Sequence, residues 1–220
     1  MIAAHESVGT RLGAIWDEAR RITLAAKSAA LVYVVTLAAG STLVDVMGWN
    51  SGGDQAINLA SIGLGYFLTV SMLQAAGLER GGARYGFWTY FGINLLSGLG
   101  IALGLVALII PGLFLLARWS AAYGYGLTDG GGVMNGLRQS WDATADHWLP
   151  AGLAMGIPIG LYLIGAAFYG LMEVDAAAQW LLSLIGSLAL FSGSLAVTAI
   201  GLAVFALTND DTSELTGIFE

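Results

Sequence analysis

Long apolar stretches alternate with short polar or amphipathic segments along most of this chain. Most of the stretches reach the ~20 residues that a helix needs to cross a bilayer. They run over about 29–47, 56–78, 87–110, 113–127, 149–172 and 178–207. The pattern predicts an all-α, polytopic membrane helix bundle of about six transmembrane helices within residues 28–207, followed by a polar C-terminal tail at 208–220.

The fourth stretch, Leu113–Leu127, is short and follows Pro111-Gly112. It either crosses the membrane as a short span or dips into it and returns. Lysine and arginine, which concentrate in cytoplasmic loops, favour a crossing. With six spans, the loops at 50–54 and 173–175 lie on one side of the membrane and contain no basic residue. Seven basic residues then all lie on the other side: Arg11, Arg20, Arg21, Lys27, Arg80, Arg84 and Arg138. We therefore expect a multi-pass protein of the inner membrane with both termini cytoplasmic.

Two segments have the 3.6-residue periodicity of amphipathic helices. In Ser7–Lys27, apolar residues form one stripe and the basic residues lie off it, as in helices that lie in the headgroup region. We assign residues 1–27 to an N-terminal interfacial helix; a helix that binds a soluble partner is the alternative. A second interfacial helix is expected at about 133–148, with Met134, Leu137, Trp141 and Ala145 on its apolar face.

Composition supports the membrane class and excludes several functions. The chain has 220 residues, of which 57% are hydrophobic and 10% charged, whereas soluble domains are about 25% charged. Cysteine is absent, which rules out disulfides, thiol catalysis and cysteine-based metal sites. No basic stripe is present that would bind nucleic acid, and the net charge of −7 comes mainly from acids in loops and tails.

One passage resembles a known bacterial family. Its sequences are Ile-Pro-Gly-Leu at 110–113, Ala-Arg-Trp-Ser at 117–120 and Gly-Leu-Arg-Gln-Ser-Trp at 136–141. The passage is similar to the membrane domain fused to some glycerophosphoryl diester phosphodiesterases, and to the related uncharacterised YciC-like integral membrane proteins. The match covers about 40 residues. The resemblance implies a standalone membrane domain without the hydrolase, and it carries no activity with it.

Arg118 is the most informative single residue, because a charge inside a span costs about 2.5–3.5 kcal/mol on insertion scales and must find a partner. One hypothesis is a site for an anionic group such as a lipid phosphate, with Arg138 as a second contact. The alternative is a structural pair, for which Asp142 or Asp146 would be suitable partners.

Four other polar residues lie in or near spans: Asp45, Asn58, Gln74 and Asn94. Asp45 marks the outer end of the first span, or belongs to a proton or cation site. The three amides are interhelical hydrogen-bonding groups, or they line a substrate path. A transporter would bring these four residues and Arg118 together around a water-filled cavity.

No catalytic or metal constellation is recognised, so we expect no enzyme activity, no metal and no cofactor. His5 and His147 do not have metal-ligand spacing. The leading hypothesis is a non-enzymatic bacterial inner-membrane protein that organises lipid or a protein partner at the cytoplasmic leaflet, where homo-oligomerisation is also possible. A small-solute transporter or channel is the alternative, and a membrane-embedded enzyme acting on lipid ranks third.

Overall fold

A computed structural model describes residues 7–79, 86–128, 130–172 and 178–217. Every regular element in these ranges is a helix. Arg80, Arg84 and the turn at 173–175, which entered the orientation argument, lie outside the described residues. The helices are α1 Val8–Ala25, α2 Lys27–Met47, α3 Asn50–Ala75, α4 Phe87–Ala107, α5 Ile109–Arg118, α6 Ala122–Thr128, α7 Gly132–Ala143, α8 Trp148–Ala154, α9 Gly156–Met172 and α10 Gln179–Gly217.

Five of the helical segments in the described chain are long and apolar enough to cross a membrane: Lys27–Met47, Gly52–Ala75, Phe87–Ala107, Trp148–Met172 and Gln179–Asn209. Many of their large apolar side chains are exposed, among them Leu31, Leu59 and Leu163. In water such an apolar surface would be unfavourable, whereas in a bilayer it faces lipid. The prediction of a polytopic, all-helical membrane protein is confirmed at this level.

α2 and α10 form the centre of the bundle and run antiparallel. Near one end the Ser183 hydroxyl of α10 donates to the Asp45 carboxylate of α2. Further along, the hydroxyls of Tyr33 and Ser194 are 2.9 Å apart. α3 packs on α2, and α9 packs on α10, where a side chain at Gly165 would press into the backbone of Gly186. The expected loop at 50–54 is instead the start of α3, and α10 continues ten residues beyond the predicted last span.

The predicted fourth span is not one helix. It is divided into α5 and α6 by a turn at residues 119–121. The two pieces nevertheless run back along α4: Gly104 lies against Gly112 at one end, and Gly126 lies near Thr89 and Ile93 at the other. The start of α4 and the end of α6 are therefore close together.

Helices α1 and α7 lie at the positions of the two predicted amphipathic helices. On α1, Ile15, Ala19 and Ile22 of the apolar stripe are buried against the protein, mainly α10 and α8. On α7 the buried face contains Gly136, Leu137 and Ser140. Met134, expected on the apolar face, is 71% exposed. Small residues occupy the buried face because α7 approaches α6 closely. A methyl group on Gly136 would lie 2.8 Å from the Gly126 Cα.

Candidate functional site

Arg118 is the last residue of α5 and is buried. Its guanidinium carbon lies 4.4 Å from the centroid of the Trp141 ring and 5.9 Å from that of Phe114. Both distances are within the ~6 Å range of cation–π attraction. The charge is thus held between an aromatic residue of its own helix and one from α7.

The backbone at Arg118 is fixed from α7 as well. α5 ends here, and the carbonyl oxygen of Arg118 accepts hydrogen bonds from Ser140 at 2.8 Å and Thr144 at 3.1 Å. Both hydroxyl residues are fully buried. Because a helix end leaves its last carbonyls without partners, these two bonds stabilise the break between α5 and α6 and position Arg118 against Trp141.

The expected carboxylate partners do not pair with Arg118. Within the described chain, no ion pair joins it to Asp142 or Asp146; Asp142 instead lies 3.9 Å from Arg138 on an exposed helix face. The Arg118 Nε atom is buried and has no hydrogen-bond partner. Arg118 therefore keeps unused donor capacity, whereas the Arg138 side chain is exposed on the surface of α7.

An apolar groove adjoins Arg118, between α5 and α8. We call it the α5–α8 groove; its volume is about 510 Å³. Phe114 connects Arg118 to the groove, because its ring lines the groove and also faces the Arg118 guanidinium. Gly152 forms part of the opposite wall, and the exposed side chains of Leu113, Trp148 and Leu153 border the groove.

Other basic residues gather at the same end of the bundle, which we call the basic end. Arg11 of α1 donates to the Asp146 carbonyl at 2.7 Å and lies 3.3 Å from Nδ1 of His147. Arg21 reaches the Ala76 carbonyl at the end of α3 and forms an ion pair with Glu18. Hydrogen bonding to Glu18 raises the pKa of Arg21 above its usual value, so this charge is permanent.

A second, smaller groove of about 210 Å³ lies between α1 and α10 at the basic end. Arg20, which is exposed, stands at this groove beside Trp16 and Leu24. The wall on α10 is formed by Ala196, Ala199 and Ile200. Like the α5–α8 groove, it combines apolar walls with an arginine.

The four polar residues predicted within or near the spans are dispersed. The Asp45 carboxylate accepts from Ser183, and its carbonyl oxygen accepts from Gln179 at 3.1 Å, so Asp45 joins α2 to α10. Gln74 and Asn94 are exposed on α3 and α4. Asn58 of α3 lines a cavity. The α5–α8 groove, the groove between α1 and α10 and the cavity lined by Asn58 do not bring these residues together with Arg118.

The structure contains a polar cavity that was not predicted, which we call the hydroxyl crevice. It has a volume of about 570 Å³ and lies between α3 and α9 on the α2–α10 pair. Repeats in the sequence could have indicated it, since Tyr162 and Tyr169 on α9 are seven residues apart. Its polar lining residues are Tyr33 and Ser41 of α2, Asp54, Asn58 and Ser61 of α3, Tyr162 and Tyr169 of α9, and Ser194 of α10.

No group of three or more histidine, aspartate or glutamate residues able to hold a metal ion occurs in the part of the chain that the structure describes. Comparisons with protein-family models, with curated proteins and with solved structures find no match to this chain.

Proposed function

We propose that this protein is a non-enzymatic, multi-pass protein of the bacterial inner membrane that binds an anionic phospholipid at the cytoplasmic leaflet. The observation that carries the proposal is the pairing of a buried, incompletely hydrogen-bonded arginine, Arg118, with the apolar α5–α8 groove beside it. A phospholipid needs both parts: a donor for its phosphate and an apolar surface for its acyl chain.

The orientation of the basic end supports a cytoplasmic location. Because α5 and α6 return along α4, the segments before α4 and after α6 lie on the same side, whether this hairpin crosses the bilayer or only enters it. If α2, α3, the α8–α9 segment and α10 each cross the bilayer once, the whole basic end lies on one side of the membrane. Basic residues concentrate on the cytoplasmic side, so we assign that side to the basic end, together with both termini. In the six-span form of this topology, α5 and α6 together make the fourth crossing.

The chemistry of Arg118 suits a phosphate group. A guanidinium presents several N–H donors in a fixed plane that matches phosphate oxygens, and in a dry site such bonds are stronger than in water. The Phe114 and Trp141 rings fix that plane. Asp142 and Asp146 do not neutralise the charge by direct pairing, so an anionic headgroup supplies an acceptor for the Arg118 Nε, which has no hydrogen-bond partner among the described residues.

Native mass spectrometry of protein extracted gently from its own membrane tests this function. Wild-type protein should retain phosphatidylglycerol or another anionic phospholipid, and the Arg118→Gln variant should lose most of it. Gly152→Leu should have the same effect without changing charge, because the new side chain occupies the groove. Gly156→Leu is the matched control, since a Cβ at Gly156 would meet no atom within 4 Å. Equal lipid retention in Arg118→Gln and wild type would refute the proposal.

A small-solute transporter is the second candidate, and the hydroxyl crevice is the observation in its favour. Of the residues expected to define such a path, Asn58 lies in the crevice, together with seven other polar residues of the spanning region.

A further inference from the structure

The hydroxyl crevice exists because two pairs of helices diverge. α3 packs on α2 and α9 packs on α10, so a gap remains between α3 and α9. At about 1.5 Å per residue along α2, Tyr33 lies roughly 9 Å from the Lys27 end. Asp54 stands near the other end, close to the start of α3. The crevice therefore reaches from the end opposite the basic residues deep into the bundle.

Part of its polar lining has a structural role. Tyr33 and Ser194 hydrogen-bond to each other across α2 and α10. Tyr169 contacts the hydroxyls of Ser41 at 3.1 Å and Ser187 at 2.7 Å. Interhelical bonds of this kind are common in membrane bundles, and here they fix two tyrosine rings as rigid walls.

The α3 wall is different, because two of its polar side chains, Asp54 and Asn58, are not paired with other described residues; the Ser61 hydroxyl donates to the Asn58 carbonyl at 2.8 Å. Within the described residues, the Asp54 carboxylate forms no ion pair and the Asn58 amide no hydrogen bond, and both side chains are exposed in the crevice. Polar and ionisable groups inside a spanning region are costly and usually mark a pathway or a binding site. These two residues, one helical turn apart, are the free ligand-binding groups.

The charge of the crevice selects the ligand. Among the lining residues that the structure describes, Asp54 is the one carboxylate, and none is a lysine, arginine or histidine. An anion would therefore be repelled without compensation, whereas a cation finds a counter-ion. The tyrosine rings add attraction of the cation–π type, which is the usual device for recognising organic ammonium groups.

We propose that the hydroxyl crevice binds an organic ammonium group, with Asp54 as counter-ion, Asn58 as a polar contact and the rings of Tyr162 and Tyr169 as walls. The group can belong to a free amine, such as ethanolamine, or to the headgroup of phosphatidylethanolamine. The site lies away from Arg118 and does not depend on the proposed binding of anionic lipid.

Two arms of one experiment test the site and distinguish the sources. In the first, purified protein is titrated calorimetrically with ethanolamine and, separately, with glycerol, which has hydroxyls but no charge. In the second, nanodiscs of phosphatidylethanolamine or phosphatidylglycerol are used, and the retained lipid is identified by native mass spectrometry. Saturable ethanolamine binding indicates a free amine as ligand, and selective retention of phosphatidylethanolamine alone indicates the lipid.

The variants identify the groups responsible. Asp54→Asn should weaken ammonium binding roughly tenfold or more, as expected for loss of a charge-assisted hydrogen bond. Asp17→Asn removes an exposed carboxylate on α1 and should change nothing. Asn58→Trp fills the crevice without changing charge and should abolish binding, which keeps the test decisive if Asp54→Asn folds poorly. Arg118→Gln should leave ammonium binding intact.

Three results would overturn the proposal. They are unchanged binding in Asp54→Asn and Asn58→Trp, glycerol binding as tightly as ethanolamine, and failure of both the free amine and phosphatidylethanolamine to bind the wild-type protein.

Discussion

The guanidinium of Arg118 stacks on the ring of Trp141, 4.4 Å from its centroid, across the contact between α5 and α7. Two residues that are 23 positions apart in the sequence thus stabilise one buried charge. This contact needs no carboxylate, and it leaves the charge available to an anionic ligand.

The Arg118–Trp141 contact should be measurable as a coupling energy. A double-mutant cycle with Arg118→Met and Trp141→Leu should give a coupling of about 0.5–2 kcal/mol in the free energy of unfolding. SDS-induced unfolding in mixed micelles measures it. The control cycle uses Arg138 and Asp142, an exposed pair 3.9 Å apart, for which we expect at most about 0.5 kcal/mol. A coupling at the buried pair no larger than at the exposed pair would disprove the stacking account.

Gly201 should be indispensable for packing between α10 and the α5–α6 turn. A methyl group there would collide with the backbone carbonyl of Ser120, which cannot move without disturbing the turn. Gly201→Ala should lower the free energy of unfolding by about 1–3 kcal/mol. Gly160→Ala serves as control, because a Cβ at Gly160 meets no atom within 4 Å. Similar thermal stability of the two variants would contradict this packing.

Arg11 should hold α1 onto the bundle. Arg11→Met removes the donor to the Asp146 carbonyl, at a cost of about 1–3 kcal/mol for the unpaired group. Hydrogen–deuterium exchange should then become faster across Val8–Ala25. Arg20→Met, a change at an exposed arginine of the same helix, should leave the exchange as in wild type. Equal exchange in both variants would show that Arg11 does not dock the helix.

The topology can be tested without background labelling, since the chain has no cysteine. Trp49 and Met134 are both well exposed. We expect Trp49→Cys to react with a membrane-impermeant maleimide added to intact spheroplasts, and Met134→Cys to react only after permeabilisation. Labelling of both positions from outside would place α7 on the opposite side and contradict the return of α5 and α6.

Composition and periodicity were sufficient for the membrane class and for most helix bounds, because apolar length is a local property. The break at residues 119–121 was not predictable in this way. The turn Trp119-Ser120-Ala121 contains no glycine or proline, and the hydroxyls that satisfy the Arg118 carbonyl come from Ser140 and Thr144, more than 20 residues later.

The packing of α7 and the crevice also depend on tertiary contacts. Periodicity placed Met134 on the apolar face of the helix, but it did not indicate that Gly136 would make the close contact with Gly126. The repeats of Asp54, Asn58 and Ser61 on α3 were visible in the sequence. That they face Tyr162 and Tyr169 follows only from the packing of α3 on α2 and of α9 on α10.

Quenching of Trp148 by brominated phospholipid tests the lipid site most directly, since bromine quenches only at short range and Trp148 lines the α5–α8 groove. The contribution of Trp148 is the difference in tryptophan fluorescence between the wild type and Trp148→Phe, both measured in nanodiscs. We predict stronger quenching by brominated phosphatidylglycerol than by brominated phosphatidylcholine, and loss of this preference in Arg118→Gln. Equal quenching by the two lipids in the wild-type protein would contradict an anionic phospholipid held beside Arg118.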